Sequence, residues 1–132
     1  MSSTTIYRQL DANADQKAVS VDTALTSSDS GKTILLDAVG EAITLPAPAA
    51  GLNYKFLVTA AVATTSWTVA ATGALIYGSV TEAGLVQLAS AETTITIVFT
   101  KAIQGDWFTL ESDGVNWYLA GQLSVAASFT TA

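Results

Sequence analysis

The sequence predicts an all-β fold: an antiparallel β-sandwich of jelly-roll-like type, preceded by an extended N-terminal arm. Three observations lead there. From Ala18 onward, short β-prone runs alternate with turn residues at intervals of about 8 to 12 positions. No window of useful length keeps the 3.6-residue apolar repeat of a packed helix. Half of the 132 residues are hydrophobic, enough in a chain of this length for one buried core.

Residues 1–17 differ from the rest. They are polar, acidic in "DANAD", and offer only Ile6, Tyr7 and Leu10 as apolar contacts beside Arg8. Such a segment reads as an arm that orders against a partner, leaving residues 18–132 as a single domain. Its first run, 18–25, places Val19 and Val21 in alternation before Leu25 and ends at "TSSDSG". Runs 32–38 and 41–46 flank Val39-Gly40, which reads as a hairpin turn. Pro46 and Pro48 stop the second run, since neither can donate to a ladder. Run 53–61 sets Tyr54, Phe56 and Val58 against Lys55, Leu57 and Thr59, while 64–71 and 74–80 are split at Thr72-Gly73. Then come 83–90 and 92–100, the latter with Ile95, Ile97 and Phe99 on one face. Runs 106–111 and 116–121 follow, with 122–129 as a further strand or a tail, for about nine to eleven strands in all.

Composition excludes several classes of function. Charged residues make up 12% of the chain, about half the usual ~25%. The surface is therefore rich in Ser, Thr and Ala, and low charge points to area shared with other subunits. The net charge of −6, with one arginine and four lysines, argues against direct binding of nucleic acid, whose phosphates need cations. It argues equally against a polybasic membrane anchor. Without Cys or His, no Ser-His-Asp or Cys-His nucleophile and no thiolate or imidazole zinc site can be built. No cofactor is expected. The N-terminus lacks the apolar core of a signal peptide, and no run approaches the ~18 apolar residues of a membrane span, so synthesis in a cytoplasm is expected.

Three stretches imitate chemical motifs. "SSDSGKT" (27–33) ends like a phosphate-binding loop, but Thr26 stands where the first glycine belongs and a strand pattern follows instead of a helix. Asp11, Asn13, Asp15 and Asp22 have the spacing of an EF-hand loop, yet Gln16 replaces the glycine of its sharp turn. Asp106, Glu111 and Asp113 cluster near the last hairpin as paired carboxylates would in glycoside hydrolysis. Asp113, however, is the residue an Asp-Gly turn wants, and Glu111 suits an edge charge. No catalytic residue is assigned, and the chain is not expected to be an enzyme.

The stretch "GDWFTLESDGVNWYLAGQ" (105–122) holds two of the three tryptophans. Alternation puts Trp107, Thr109 and Glu111 on one face and Phe108 and Leu110 on the other. The economical arrangement packs Phe108, Leu110, Trp117 and Leu119 inside. Trp107 and Tyr118 are then left outward as an aromatic pair that braces the hairpin, anchors a partner or stacks on sugar.

With these residues in view, "DSGKTILLDAVGEAITLPAPAAGLNYKFLV", "IYGSV" and the 105–122 stretch, in that order, resemble small virion proteins of tailed bacteriophages. Over about residues 28–122 they resemble head decoration (cement) proteins in particular; similar pieces occur in phage tail-fibre and head-fibre domains. The resemblance implies a homotrimer of β-sandwich protomers on the outer capsid surface of the virion. Such trimers staple neighbouring capsomers of the major capsid (coat) protein against the pressure of packaged DNA. The family carries no catalytic motif. The arm residues Ile6, Tyr7, Arg8 and Leu10, with Trp107 and Tyr118, are the expected partner contacts. The alternative is a trimeric fibre domain binding host surface glycans through Trp107, Tyr118 or Trp67. A bacterial carbohydrate-binding module fits less well, for want of a secretion signal.

Overall fold

In the computed structural model, which describes residues 15–37, 40–60, 65–98 and 100–132, the strands form two sheets packed face to face. In chain order they are β1 (Gln16–Val19), β2 (Thr23–Ala24), β3 (Thr33–Leu36), β4 (Ala42–Thr44), β5 (Asn53–Val58), β6 (Trp67–Ala70), β7 (Ile76–Glu82), β8 (Leu85–Glu92), β9 (Thr94–Ile97), β10 (Trp107–Ser112), β11 (Trp117–Leu123) and β12 (Phe129–Thr131). The larger sheet has seven strands in the order β1-β3-β5-β10-β11-β7-β8, and the smaller has five, β12-β9-β6-β4-β2.

The all-β sandwich is as the sequence predicts; the strand directions are not antiparallel throughout. From β1 to β6 the chain crosses from one sheet to the other at every connection, so strands two apart in sequence become neighbours running the same way. β1, β3 and β5 pair in parallel, as do β2, β4 and β6. A further parallel pair joins β11 to β7, while β10 is antiparallel to both β5 and β11.

This corrects the reading of Val39-Gly40 as a hairpin turn, because β3 and β4 lie in different sheets. Gly40 serves another purpose. It is buried, and a Cβ there would collide with the Thr65 carbonyl, so the chain passes where only glycine fits. Thr72-Gly73 likewise joins strands of different sheets. A two-residue hairpin turn is found instead at Ala83-Gly84, which joins β7 to β8 with φ values of 50° and 84°. Both central residues are left-handed, as a two-residue turn with the twist of its strands requires. The boundary of the N-terminal segment also shifts, since Gln16 and Lys17 belong to β1. Residues 1–14, including Ile6, Tyr7, Arg8 and Leu10, lie outside the described residues.

Period-2 alternation fills the space between the sheets. Tyr54, Phe56 and Val58 from β5, Phe108 and Leu110 from β10, and Trp117 and Leu119 from β11 point inward. Trp67, Val69, Ile43, Ile95 and Ile97 meet them from the smaller sheet. Phe56 and Phe108 stack at 4.6 Å, and Tyr54 lies 5.8 Å from Trp117 while its hydroxyl donates to the Thr26 carbonyl at 2.7 Å. The Trp117 indole N–H finds no acceptor among the described residues, a cost of about 1–3 kcal/mol that close packing must offset.

Three buried carboxylates tie down the loops. Asp106 accepts from the Ile103 and Ser124 amides, each at 3.1 Å, and from the Ser124 hydroxyl at 2.8 Å. Glu82 accepts from the Ala127 amide at 2.7 Å and the Phe129 amide at 2.8 Å, pinning the start of β12 to the end of β7. Asp29 accepts from the Thr26 amide, from Lys17 at 3.2 Å and from Lys32 at 3.3 Å. Burial opposes charge on Asp29, but these donors outweigh it and hold its carboxyl below the ordinary carboxylate range.

Candidate binding surface

Because successive side chains alternate, the outer face of the seven-stranded sheet can be read along its registers. One row runs Ala18, Leu35, Leu57, Trp107, Gln122, Thr81, Val86; the next runs Gln16, Thr33, Lys55, Thr109, Ala120, Ser79, Leu88. A third row places Asn53, Glu111, Tyr118 and Tyr77 side by side. Lys55 and Glu111 are the charged residues of these rows. The outer face of the other sheet is built from Thr and Ala: Thr44, Thr68, Thr94, Thr96 and Thr130 with Ala24, Ala42 and Ala70.

Trp107 and Tyr118 do share the outward face, but not as a cross-strand pair. Trp107 sits opposite Gln122, and Tyr118 opposite Glu111. Four residues of strand separate them, about 13 Å at the usual rise. Trp107 is half-buried between Leu57 and Gln122, with the Lys55 ammonium 5.5 Å from its ring centroid. That geometry allows a cation–π contact of about 0.5–1 kcal/mol. Tyr118 is 45% exposed, stacks on Tyr77 at 6.3 Å and donates its hydroxyl to Asp113 at 3.1 Å. Amides of Asn116 and Val115 close the turn on the same Asp113 carboxylate; with help from Tyr118 they lower its pKa. The bond to Asp113, more than partial burial, raises that of Tyr118.

Trp67 is excluded as an exposed platform: it is fully buried at the centre of the smaller sheet. Asp106, Glu111 and Asp113 do not form a carboxylate pair working on one substrate. The first is buried against backbone amides, the second stands on the outer sheet face, and the third closes a turn. The phosphate-loop imitation is a 3-10 turn, Ser27–Asp29, followed by Gly31 at φ 86° and then β3, with Lys32 bound to Asp29. Of the EF-hand spacing, Asp11 and Asn13 lie outside the described residues. Asp22 accepts the Ala42 amide at 2.9 Å, an attachment that lowers its pKa, while Glu41 beside it is raised by desolvation and by the neighbouring Asp22 carboxylate.

One feature of the surface escapes the sequence reading. Leu85, Val86 and Leu88, on the outermost strand β8, are 67%, 65% and 71% exposed. "GLVQLAS" has the look of a buried strand, and nothing local in it shows that it ends a sheet. Compared with family models, curated proteins and solved structures, the chain matches none of them.

Proposed function

We propose that this protein is a virion structural protein that decorates the outer capsid surface of a tailed bacteriophage and cements neighbouring coat-protein capsomers. The observation that carries the reading is the pair of outer sheet faces, broad and nearly free of charge. One bears Leu35, Leu57, Trp107, Tyr118, Val86 and Leu88; the other is a Thr/Ala carpet. Such faces suit contact with other protein subunits better than contact with phosphate or small ions. The order of sequence pieces over residues 28–122 supports the same reading.

In this account many copies act together. Each contact with coat protein is modest, and the assembly gains through effective concentration as a homo-oligomer spans several coat subunits. The N-terminal residues Ile6, Tyr7, Arg8 and Leu10 supply one grip and the Trp107 row another. Quantitative mass spectrometry of purified particles tests this. Hundreds of copies in fixed ratio to coat protein are expected; a handful per particle, or none, would overturn it. The exposed Tyr118–Tyr77 stack favours one alternative, a fibre-type domain that holds host glycans on its aromatic rings. Glycan-array binding lost in Tyr118→Ala would select that alternative.

A further inference from the structure

We propose that β8 is a self-association edge, along which a second copy of this chain docks its own β8 antiparallel about a twofold axis at Gln87. Among the described residues, the free edges of the two sheets differ sharply. β2 and β12 are two and three residues long, and β1 is four residues long and guarded by the Lys17–Asp29 ion pair. β8 is eight residues long. From Ala83 to Ala91 it carries no charge and no proline, the devices that usually keep a sheet edge from pairing.

Its length is bounded at both ends. The Ala83-Gly84 turn closes one end; at the other, a register shift and Ala91 at φ 59° bend the chain toward β9 in the smaller sheet. A pairing partner therefore meets residues 85–89. Val86 and Leu88 lie opposite Thr81 and Ser79 on the outer face, whereas Leu85, Gln87 and Ala89 lie opposite Glu82, Val80 and Gly78 on the inner one.

The occupant follows from this pattern. Continuing the sheet through a second copy, with inner faces on the same side, allows antiparallel registers centred only on a residue. Centring on Gln87 sets Val86 against Leu88 of the other copy, and Leu88 against its Val86, on the outer face. Leu85 then meets Ala89, large against small, and the two Gln87 amides face each other. Centring on Val86 or Leu88 breaks the apolar matches. The strand is thus complementary to itself, and its neutrality lets two chains of net charge −6 meet there without like charges opposed. Val86 and Leu88 on the outer face and Leu85 at the inner margin leave apolar side chain exposed along this one edge. Edge pairing covers the flanks of these side chains on both copies together with the ladder, a contact at the small end of specific interfaces.

This inference does not rest on the decoration reading and sets twofold pairing in place of the homotrimer that the resemblance implies; its test uses the free chain. Sedimentation of the purified protein from about 1 to about 500 μM covers the affinities such a contact supports. A monomer–dimer equilibrium is expected, weakened at least tenfold by Leu88→Lys and unaffected by Thr44→Lys on the other sheet, with near-ultraviolet circular dichroism unchanged in both. The chain has no cysteine, so Gln87→Cys places one thiol on the axis, at a separation a disulfide can span. Mild oxidation should link two copies through position 87 and not through Thr44→Cys. A monomer throughout the range, a mass of three chains, insensitivity to Leu88→Lys, or equal cross-linking at 44 and 87 would each overturn the proposal. So would a monomer whose Leu88→Lys variant loses only coat-protein binding, which would assign the edge to coat protein instead.

Discussion

Removing the Glu82 carboxylate should destabilise the sandwich strongly. Its two oxygens accept the Ala127 and Phe129 amides at 2.7 and 2.8 Å in a buried setting. These bonds hold the lead-in to β12, which completes the edge of the smaller sheet beside β9. Each hydrogen bond to a charged group contributes about 1.5–3 kcal/mol, so Glu82→Ala should cost roughly 3–6 kcal/mol and leave two amides without acceptors. Against a total stability of about 5–15 kcal/mol, that is a large share. Glu82→Gln retains one oxygen acceptor but turns an N–H toward the second amide, and should lose about half as much. Urea unfolding followed by tryptophan fluorescence measures both. With a slope of about 1–3 kcal/mol per molar, the Glu82→Ala midpoint should fall by roughly 2 M. A loss below about 1 kcal/mol would refute the idea that this carboxylate clamps the C-terminal segment.

Other outcomes follow from the same structure. Gly40→Ala forces a methyl against the Thr65 carbonyl, and thermal unfolding should show a loss of about 1–3 kcal/mol, where an ordinary loop glycine would show little. Asp29 is depressed by its donors, so its contribution is complete above the ordinary value of 3.8 and is lost as pH falls below it. Asp29→Asn should therefore unfold more easily than the parent chain at neutral pH, with the difference shrinking as pH falls below 3.8, measured by urea titration at each pH. The two tryptophans should separate cleanly. Trp67→Ala empties the core and should cost about 3–5 kcal/mol, whereas Trp107→Ala, on the outer face, should cost about 1 kcal/mol or less in chemical denaturation.

Much of the fold was legible because period-2 alternation reports which side chains share a face. It placed Phe108, Leu110, Trp117 and Leu119 inside and Trp107 and Tyr118 outside, as found. It does not report which strand lies beside which. The parallel pairing of β1, β3 and β5 arises from connections that cross between sheets, and a Val-Gly pair resembles a hairpin turn until its three-dimensional neighbour, Thr65, is known. For the same reason Trp107 and Tyr118 could be assigned to a common face but not to a distance, which depends on hairpin register. The exposure of Leu85, Val86 and Leu88 was out of reach altogether, since a strand at the edge and one at the centre of a sheet can share the same apolar pattern.

The central claim, that the chain binds the outside of a phage head and strengthens it, is tested most directly by adding the purified protein to heads that lack it. Bound copies would be counted by mass spectrometry and DNA release followed on heating. Saturable binding at a fixed ratio to coat protein is expected, with release at a higher temperature once the sites are filled. Heads that bind no protein, or that bind it and release DNA at an unchanged temperature, would contradict it.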